Sequence, residues 1–257
     1  MTGRLVILGS GTSFGVPVIG CDCAVCRSDD PRDRRTRTAA VFEVGGVRLL
    51  VDTPPELRLQ LIAAGIGAVD AVLYTHAHAD HVAGIDDLRA FSVRGHTVPI
   101  YGPEETVAEL RRRFRYIFGA SEPVPGTSRP ELIATPIPPY EAREIGGVGV
   151  LPIEVDHGGS AVFGYRVGSA AYVTDAKSVS DRAVEALRGV DCLILNGLFE
   201  RPHPTHLSIP EAIALAGRIG ARRTYLTHLT HRHRHQALAA RLPAGIEPAY
   251  DGLSIVF

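Results

Sequence analysis

The sequence predicts an α/β sandwich built from mixed sheets, and two features of the 257-residue chain carry that expectation. Short runs rich in Val, Ile, Leu, Tyr and Phe recur from end to end, and helical periodicity fills the gaps between them. The early runs follow one another as hairpins do, whereas the later ones alternate with helices. A purely parallel, doubly wound sheet would show the alternation throughout.

In chain order the β-type runs are RLVIL at 4–8, AAVFEV at 39–44, VRLLVD at 47–52 and DAVLYT at 70–75. They continue with VGVLPIEV at 148–155, VFGYRV and AAYVTD between 162 and 175, DCLILN at 191–196, RRTYLT at 222–227 and GLSIVF at the end. Helices are expected near 55–65, 104–117, 180–188, 208–219 and 233–241, the fourth introduced by Ser208 and Glu211 in a capping-box spacing. Residues 119–140 are rich in proline and read as a long surface excursion. Because strands and chemical motifs lie on both sides of it, the expectation is one domain over 1–257. No sequence repeat and no low-complexity segment appears.

Composition is that of an ordinary globular protein, with 45% hydrophobic and 21% charged residues. Twenty-seven basic side chains against 28 acidic ones give a net charge of −1, so there is no general attraction to polyanions. The opening MTGRLVILGSG is too short in its apolar part for a signal peptide or a membrane span, and the expected location is the cytoplasm.

Three of the four cysteines, Cys21, Cys23 and Cys26, crowd into GCDCAVC. A disulfide framework, a redox pair with a spare thiol, and three thiolates awaiting a metal and a fourth ligand all fit the spacing; a reducing compartment disfavours the first. The fourth, Cys192, lies in an apolar strand and reads as a small buried hydrophobe.

The strongest signal is THAHADH at 75–81, directly after the strand AVLY. It offers His76, His78, Asp80 and His81, imidazoles and a carboxylate of the kind that bind transition metals. On a tight loop His76 and His78 can serve one ion while Asp80 and His81 serve another. His157, Asp175 and His228 each stand at the end of a later strand, where the active sites of α/β proteins collect.

The pattern His-x-His-x-Asp-His, a later His, a later Asp and a terminal His resembles the metallo-β-lactamase superfamily. The resemblance implies an αββα sandwich with two mixed sheets, helices on the outer faces and two metals between them. It places His76, His78 and His157 on one metal, Asp80, His81 and His228 on the other, and Asp175 between the two. Asp52, in LLVDTPP, then resembles the aspartate that supports the metal loop from behind.

LGSGTSFGVPVIGCDCAVC together with LTHLTH resembles the PhnP-like branch, phosphoribosyl cyclic phosphodiesterases in which a Cys-x-Cys-x-x-Cys cluster and one histidine hold a structural zinc. The histidine three residues after the last active-site ligand is His231. The implied cofactors are two divalent ions, Zn²⁺ or Mn²⁺, in the active site and one structural Zn²⁺. The implied reaction is hydrolysis of a small cyclic phosphodiester, of the ribose 1,2-cyclic phosphate type, by a hydroxide the two metals share. A histidine ahead of the late helix would protonate or stabilise the leaving group; His206 matches that position better than His203, and Asp80 joins it in the catalytic set. A homodimer is implied by likeness only.

Two other functions share these motifs: a tRNase Z-like nuclease and a protein of cofactor biosynthesis like PqqB. The nuclease would need a long glycine- and proline-rich arm to grip tRNA, and only 119–140 could play that part, for which it is short and not basic. The basic run RRRFR at 111–115 follows Glu104, Glu105 and Glu109, and fits a helix whose charges complement its dipole. The glycines of GSGTSFG miss the dinucleotide-binding spacing by one residue. His233 and His235 are expected to face solvent on the last helix, with the substrate mouth within reach of either as the alternative.

Overall fold

A computed structural model describes residues 2–119 and 127–257. Among the described residues fourteen strands form two seven-stranded sheets. The first holds β1 (Gly3–Gly9), β2 (Ala39–Val44), β3 (Val47–Val51), β4 (Ala71–Leu73), β5 (Val98–Gly102) and β6 (Leu132–Pro136). The second holds β7 (Arg143–Ile145), β8 (Val148–Asp156), β9 (Ala161–Val167), β10 (Ala170–Val173), β11 (Cys192–Asn196), β12 (Arg223–Thr227) and β13 (Ile246–Pro248). The final strand, β14 (Ser254–Val256), returns to the first sheet beside β1, giving the orders β14-β1-β2-β3-β4-β5-β6 and β13-β12-β11-β10-β9-β8-β7.

Side-chain alternation explains the layers. Leu5 and Ile7 of β1, Leu49 and Val51 of β3 and Leu73 of β4 face Val150, Tyr165, Tyr172 and Ile194 between the sheets. Their neighbours Val6, Leu8, Leu50 and Val72 turn outward beneath Leu57 and Leu61 of the helix Leu57–Ala63 and Leu110 of the helix Glu104–Arg113. Val173, Leu193 and Leu195 likewise turn outward under the helices Asp181–Leu187 and Ile209–Ile219. Strands buried on both faces read as unbroken apolar runs, which is why LVIL, AVLY and LIL stand out in the sequence. The result is the expected αββα sandwich.

The topology repeats although the sequence does not. Each sheet contains a three-stranded antiparallel meander, β1-β2-β3 or β8-β9-β10, followed by three parallel strands. The division into early hairpins and later alternation is therefore corrected: both patterns occur in both halves. Each meander ends on an aspartate in left-handed backbone, Asp52 at φ 64° and Asp175 at φ 55°.

Strands β5, β6, β7 and β13 were not expected. They are three to five residues long, and β5, β6 and β13 contain Pro99, Pro136 and Pro248, which a strand signal discounts. The excursion expected over 119–140 contains β6, which pairs in parallel with β5 from Val98 opposite Leu132 to Gly102 opposite Pro136. Residues 120–126 of that segment lie outside the described residues. The helix expected at 104–117 is two, Glu104–Arg113 and Arg115–Phe118, broken at Phe114. His235 is buried against the Tyr250 ring rather than solvent-facing, its backbone N–H donating to Asp33 Oδ1 at 2.6 Å. Cys192 is fully buried, as a small core residue should be.

Candidate metal centre

The strand ends set the site. Asp52 follows β3, the 75–81 loop follows β4, His157 follows β8, Asp175 follows β10 and His228 follows β12. Four non-glycine residues among those described have positive φ, and three are Asp52, Asp175 and His228. Such backbone is retained where the surroundings dictate it; here it turns Asp175 and His228 toward each other and Asp52 toward Thr75 and the back of the His81 ring.

Asp175 is the centre. Its Oδ1 lies 3.0 Å from His206 Nε2 and 3.0 Å from His228 Nε2, and its Oδ2 lies 2.9 Å from His81 Nε2 and 3.9 Å from His76 Nε2. His76, His78 and His157 form one set of donor atoms within 4.8 Å of one another, and Asp80, His81 and His228 form another. His76 and His78 approach to 2.9 Å between ring nitrogens. The structure thus gathers all seven residues expected as active-site ligands, with His206 at the rim. His78 is exposed while Asp80 and His206 are half-buried, so the site opens on their side.

A count of protons fixes the tautomers. Asp52 is acceptor only and fully buried; it takes the Thr75 N–H at 2.8 Å, the Thr75 hydroxyl at 2.8 Å and His81 Nδ1 at 2.7 Å. The Thr75 hydroxyl has spent its one hydrogen on Asp52, so His76 Nδ1, 2.9 Å away, must donate to Thr75 Oγ1. His157 Nδ1 donates to the Thr205 carbonyl at 2.7 Å. In their neutral forms His76, His81 and His157 therefore all aim Nε2 lone pairs into the cluster.

Burial pushes the imidazole of His76 well below its ordinary pKa and that of His228 down to about 4. Burial also acts on His81, but the carboxylates of Asp175 and Asp52 prevail and hold its pKa well above normal. Lone pairs converging on a buried carboxylate repel unless positive charge lies among them. Nitrogen and oxygen donors crowded this way fit divalent cations.

Packing holds the loops. A Cβ on Gly84 would lie 2.1 Å from the Pro54 carbonyl, so only glycine lets the 79–84 segment pass the 52–54 turn, where Gly84 N–H donates to Thr53. Gly158, at φ 68°, sits where a Cβ would meet Thr205 at 2.7 Å, which keeps the His157 loop against the loop of His206. Sequence reasoning missed Thr75, Thr205 and Asn196, whose buried amide accepts from Ala176 N–H at 2.8 Å and donates to the Ala176 carbonyl at 3.0 Å, fixing the turn after Asp175. It also missed Arg113, which donates to the Ala77 carbonyl between His76 and His78 at 2.6 Å. Arg112 and Arg113 both pair with Glu109, so most of the basic run is used internally.

The cysteine cluster is a separate assembly. The Sγ atoms of Cys21, Cys26 and Cys23 lie 3.3, 3.4 and 3.6 Å from His231 Nδ1. Three sulfurs cannot all hydrogen-bond one ring nitrogen. Ligands at zinc–sulfur and zinc–nitrogen bond lengths on a tetrahedron would stand about 3.6 Å apart, so the set fits a closed Cys3His zinc site. A backbone N–H from Cys26 draws the Cys23 thiol down to about 6, favouring the thiolate. Buried Arg35 donates to the carbonyls of Thr230 at 2.6 Å and His233 at 3.0 Å, tying the 228–233 segment in place.

The profile of the β-lactamase superfamily domain matches residues 47–229. A crystal structure described as a new diphosphatase from the PhnP family superposes with a TM-score of 0.93 at 43% identity, covering 100% of this chain and 98% of that one. An octanoyltransferase of Porphyromonas gingivalis is 39% identical over 98% of this chain, but the chain spans only about half that protein, 51% of its length. A ribonuclease Z of a Mycobacterium species is 31% identical over 77% of this chain and 79% of its own.

Proposed function

Because the chain belongs to the metallo-β-lactamase superfamily, alongside its PhnP-like branch, we propose that it is a metal-dependent hydrolase of small phosphoric diesters acting as a single catalytic domain. The observation that carries this reading is Asp175, a fully buried carboxylate faced by His76 and His81 on one oxygen and by His206 and His228 on the other. His76, His78 and His157 would hold one ion, Asp80, His81 and His228 the second, with Asp175 shared. Zn²⁺ or Mn²⁺ in that pair would polarise the phosphate and lower the pKa of an attacking water.

The chain's own groups do the rest. Asp52 and Thr75 hold the rings of His81 and His76 so that their Nε2 atoms cannot turn away. Asp80, on the open side, would accept a hydrogen bond from the attacking water and orient it. His206, held through Nδ1 by Thr205 Oγ1 at 2.8 Å, gives a proton at the departing sugar oxygen. His203 lies one ring further out, its centroid 5.3 Å from that of His206, which supports His206 for this part. Cys21, Cys23, Cys26 and His231 would hold a structural Zn²⁺.

A ribose 1,2-cyclic phosphate is the diester that the sequence motifs suggest, and the likeness to a PhnP-family diphosphatase supports linear diphosphates as a second class. A panel of cyclic phosphodiesters, linear diphosphates, precursor tRNA, a lactone and a thioester separates them on protein of measured metal content. Turnover of a phosphodiester or diphosphate that disappears in His76→Ala is the expected result. Full metal occupancy with no activity on either class would overturn the reading.

A further inference from the structure

The turn that follows Asp175 and the loop that carries His206 are tied to each other beside the candidate metal centre. The Leu207 N–H donates to the Ala176 carbonyl at 2.7 Å. A charged tie lies next to it: Lys177 Nζ stands 3.0 Å from Glu211 Oε1, joining the residue two places after Asp175 to the first turn of the helix Ile209–Ile219. Lys177 is the single lysine of the chain, and only 24% of its side chain is exposed.

Glu211 divides its oxygens between the two segments. Oε2 accepts the Ser208 N–H at 2.7 Å and the Ser208 hydroxyl at 2.8 Å, closing the capping box, while Oε1 takes the Lys177 ammonium. The capping box alone would satisfy the start of the helix, so the Lys177 contact adds a link between segments rather than a cap. Ser208 is two residues from His206, whose Nε2 lies 3.0 Å from Asp175 Oδ1 and whose Nδ1 meets Thr205 Oγ1 at 2.8 Å. An ion pair near the surface adds little to stability. Position is another matter, because a proton donor displaced by about 1 Å from the atom it serves can lose about a hundredfold in rate.

We propose that Lys177 is a positioning residue for leaving-group protonation: through Glu211 and Ser208 it holds the His206 loop against the Asp175 turn, and so sets His206 Nε2 within reach of the departing oxygen. The inference rests on the phosphoric-diester reading with His206 as the proton donor, and adds to it a residue that acts on one step of the reaction.

The test compares the phenyl and p-nitrophenyl esters of thymidine 5′-phosphate on proteins of matched metal content. As the P–O bond breaks its electron pair goes to the departing oxygen; p-nitrophenolate carries that charge readily, whereas phenolate depends more on the proton from His206. Lys177→Met, similar in length but uncharged, should lower kcat on the phenyl ester about tenfold more than on the p-nitrophenyl ester. Lys177→Arg, whose guanidinium keeps a cation for Glu211, should return the ratio of the two rates to within about threefold of wild type. An equal fall on both esters, or no fall on either, overturns the proposal, since a lysine that only supports the fold would change both alike. If the wild-type protein hydrolyses neither ester at full metal occupancy, the diester reading fails on these substrates and hydrogen exchange decides the tie separately. Amide exchange over residues 199–208, followed by mass spectrometry, should be about tenfold faster in Lys177→Met and close to wild type in Lys177→Arg; unchanged exchange in Lys177→Met rejects a positioning part for Lys177.

Discussion

The two donor clusters meet on one short segment, His228 in the first and His231 three residues later in the second, yet they are built in opposite ways. The cysteine cluster takes three of its four donors from six consecutive residues, and all four are half-buried. The histidine and aspartate cluster draws its donors from the ends of β4, β8, β10 and β12, with Asp175 fully enclosed. A local set of thiolates can close around an ion before the rest of the chain is in place. A set spread over four strand ends exists only once both sheets have formed, so its geometry is a property of the fold. The first arrangement suits a brace and the second suits chemistry, because only the second leaves an open side, at His78, Asp80 and His206.

The sharpest way to break that contrast is at Asp175. Asp175→Asn keeps the shape but removes the charge that His76, His81, His206 and His228 all face. The expected loss is about a thousandfold or more in kcat, together with lowered occupancy of the two proposed active-site ions by elemental analysis, while the zinc proposed for the cysteine cluster stays. Asp52→Asn should act on the same cluster from behind: one buried acceptor can no longer satisfy His81 and Thr75 together. Metal affinity measured by competition with a chromogenic chelator should weaken about 10- to 100-fold.

The same contrast decides what could be read beforehand. THAHADH and GCDCAVC are contiguous, so their chemistry was legible as spacing. His157, Asp175 and His228 were legible because each follows a strong apolar strand. Asn196 was not, since it ends DCLILN looking like any strand terminus, and its hydrogen bonds to Ala176 exist only because β10 and β11 lie side by side. Arg113 reads as one more cation on a basic helix until the fold brings it to the Ala77 carbonyl. Of the architecture, the ten strands with clear apolar runs were visible, whereas β5, β6, β7 and β13 are short, near the sheet edges, and in three cases interrupted by proline. The doubled topology had no sequence signal because the two halves share strand order and directions rather than side chains.

Thr75 gives a subtler test of how the distributed cluster is held. Thr75→Val fills the same space without a hydroxyl, freeing His76 Nδ1 and leaving one fewer donor on Asp52. Affinity for the ion expected on His76, His78 and His157 should fall by about tenfold, and Thr75→Ser should restore it. If Val and Ser behave alike, the proton relay from His76 through Thr75 to Asp52 does not position the ring.

The smallest effect on catalysis is expected at the cysteine cluster, and it tests whether the brace is only a brace. Cys23→Ala should release about one zinc per chain and lower Tm by about 10 °C, the shift that a loss of ~3–4 kcal/mol produces in a chain of this length. Well below that Tm, kcat should stay within about threefold of wild type, because buried Arg35 still grips the Thr230 and His233 carbonyls and Leu229 N–H still donates to the Ser10 carbonyl at 2.8 Å. These contacts hold the 228–233 segment without any atom of the three cysteines. A hundredfold loss of kcat in a variant that remains folded and fully loaded at the active site would mean that the zinc, and not Arg35, sets the position of His228; the two clusters would then be one functional unit.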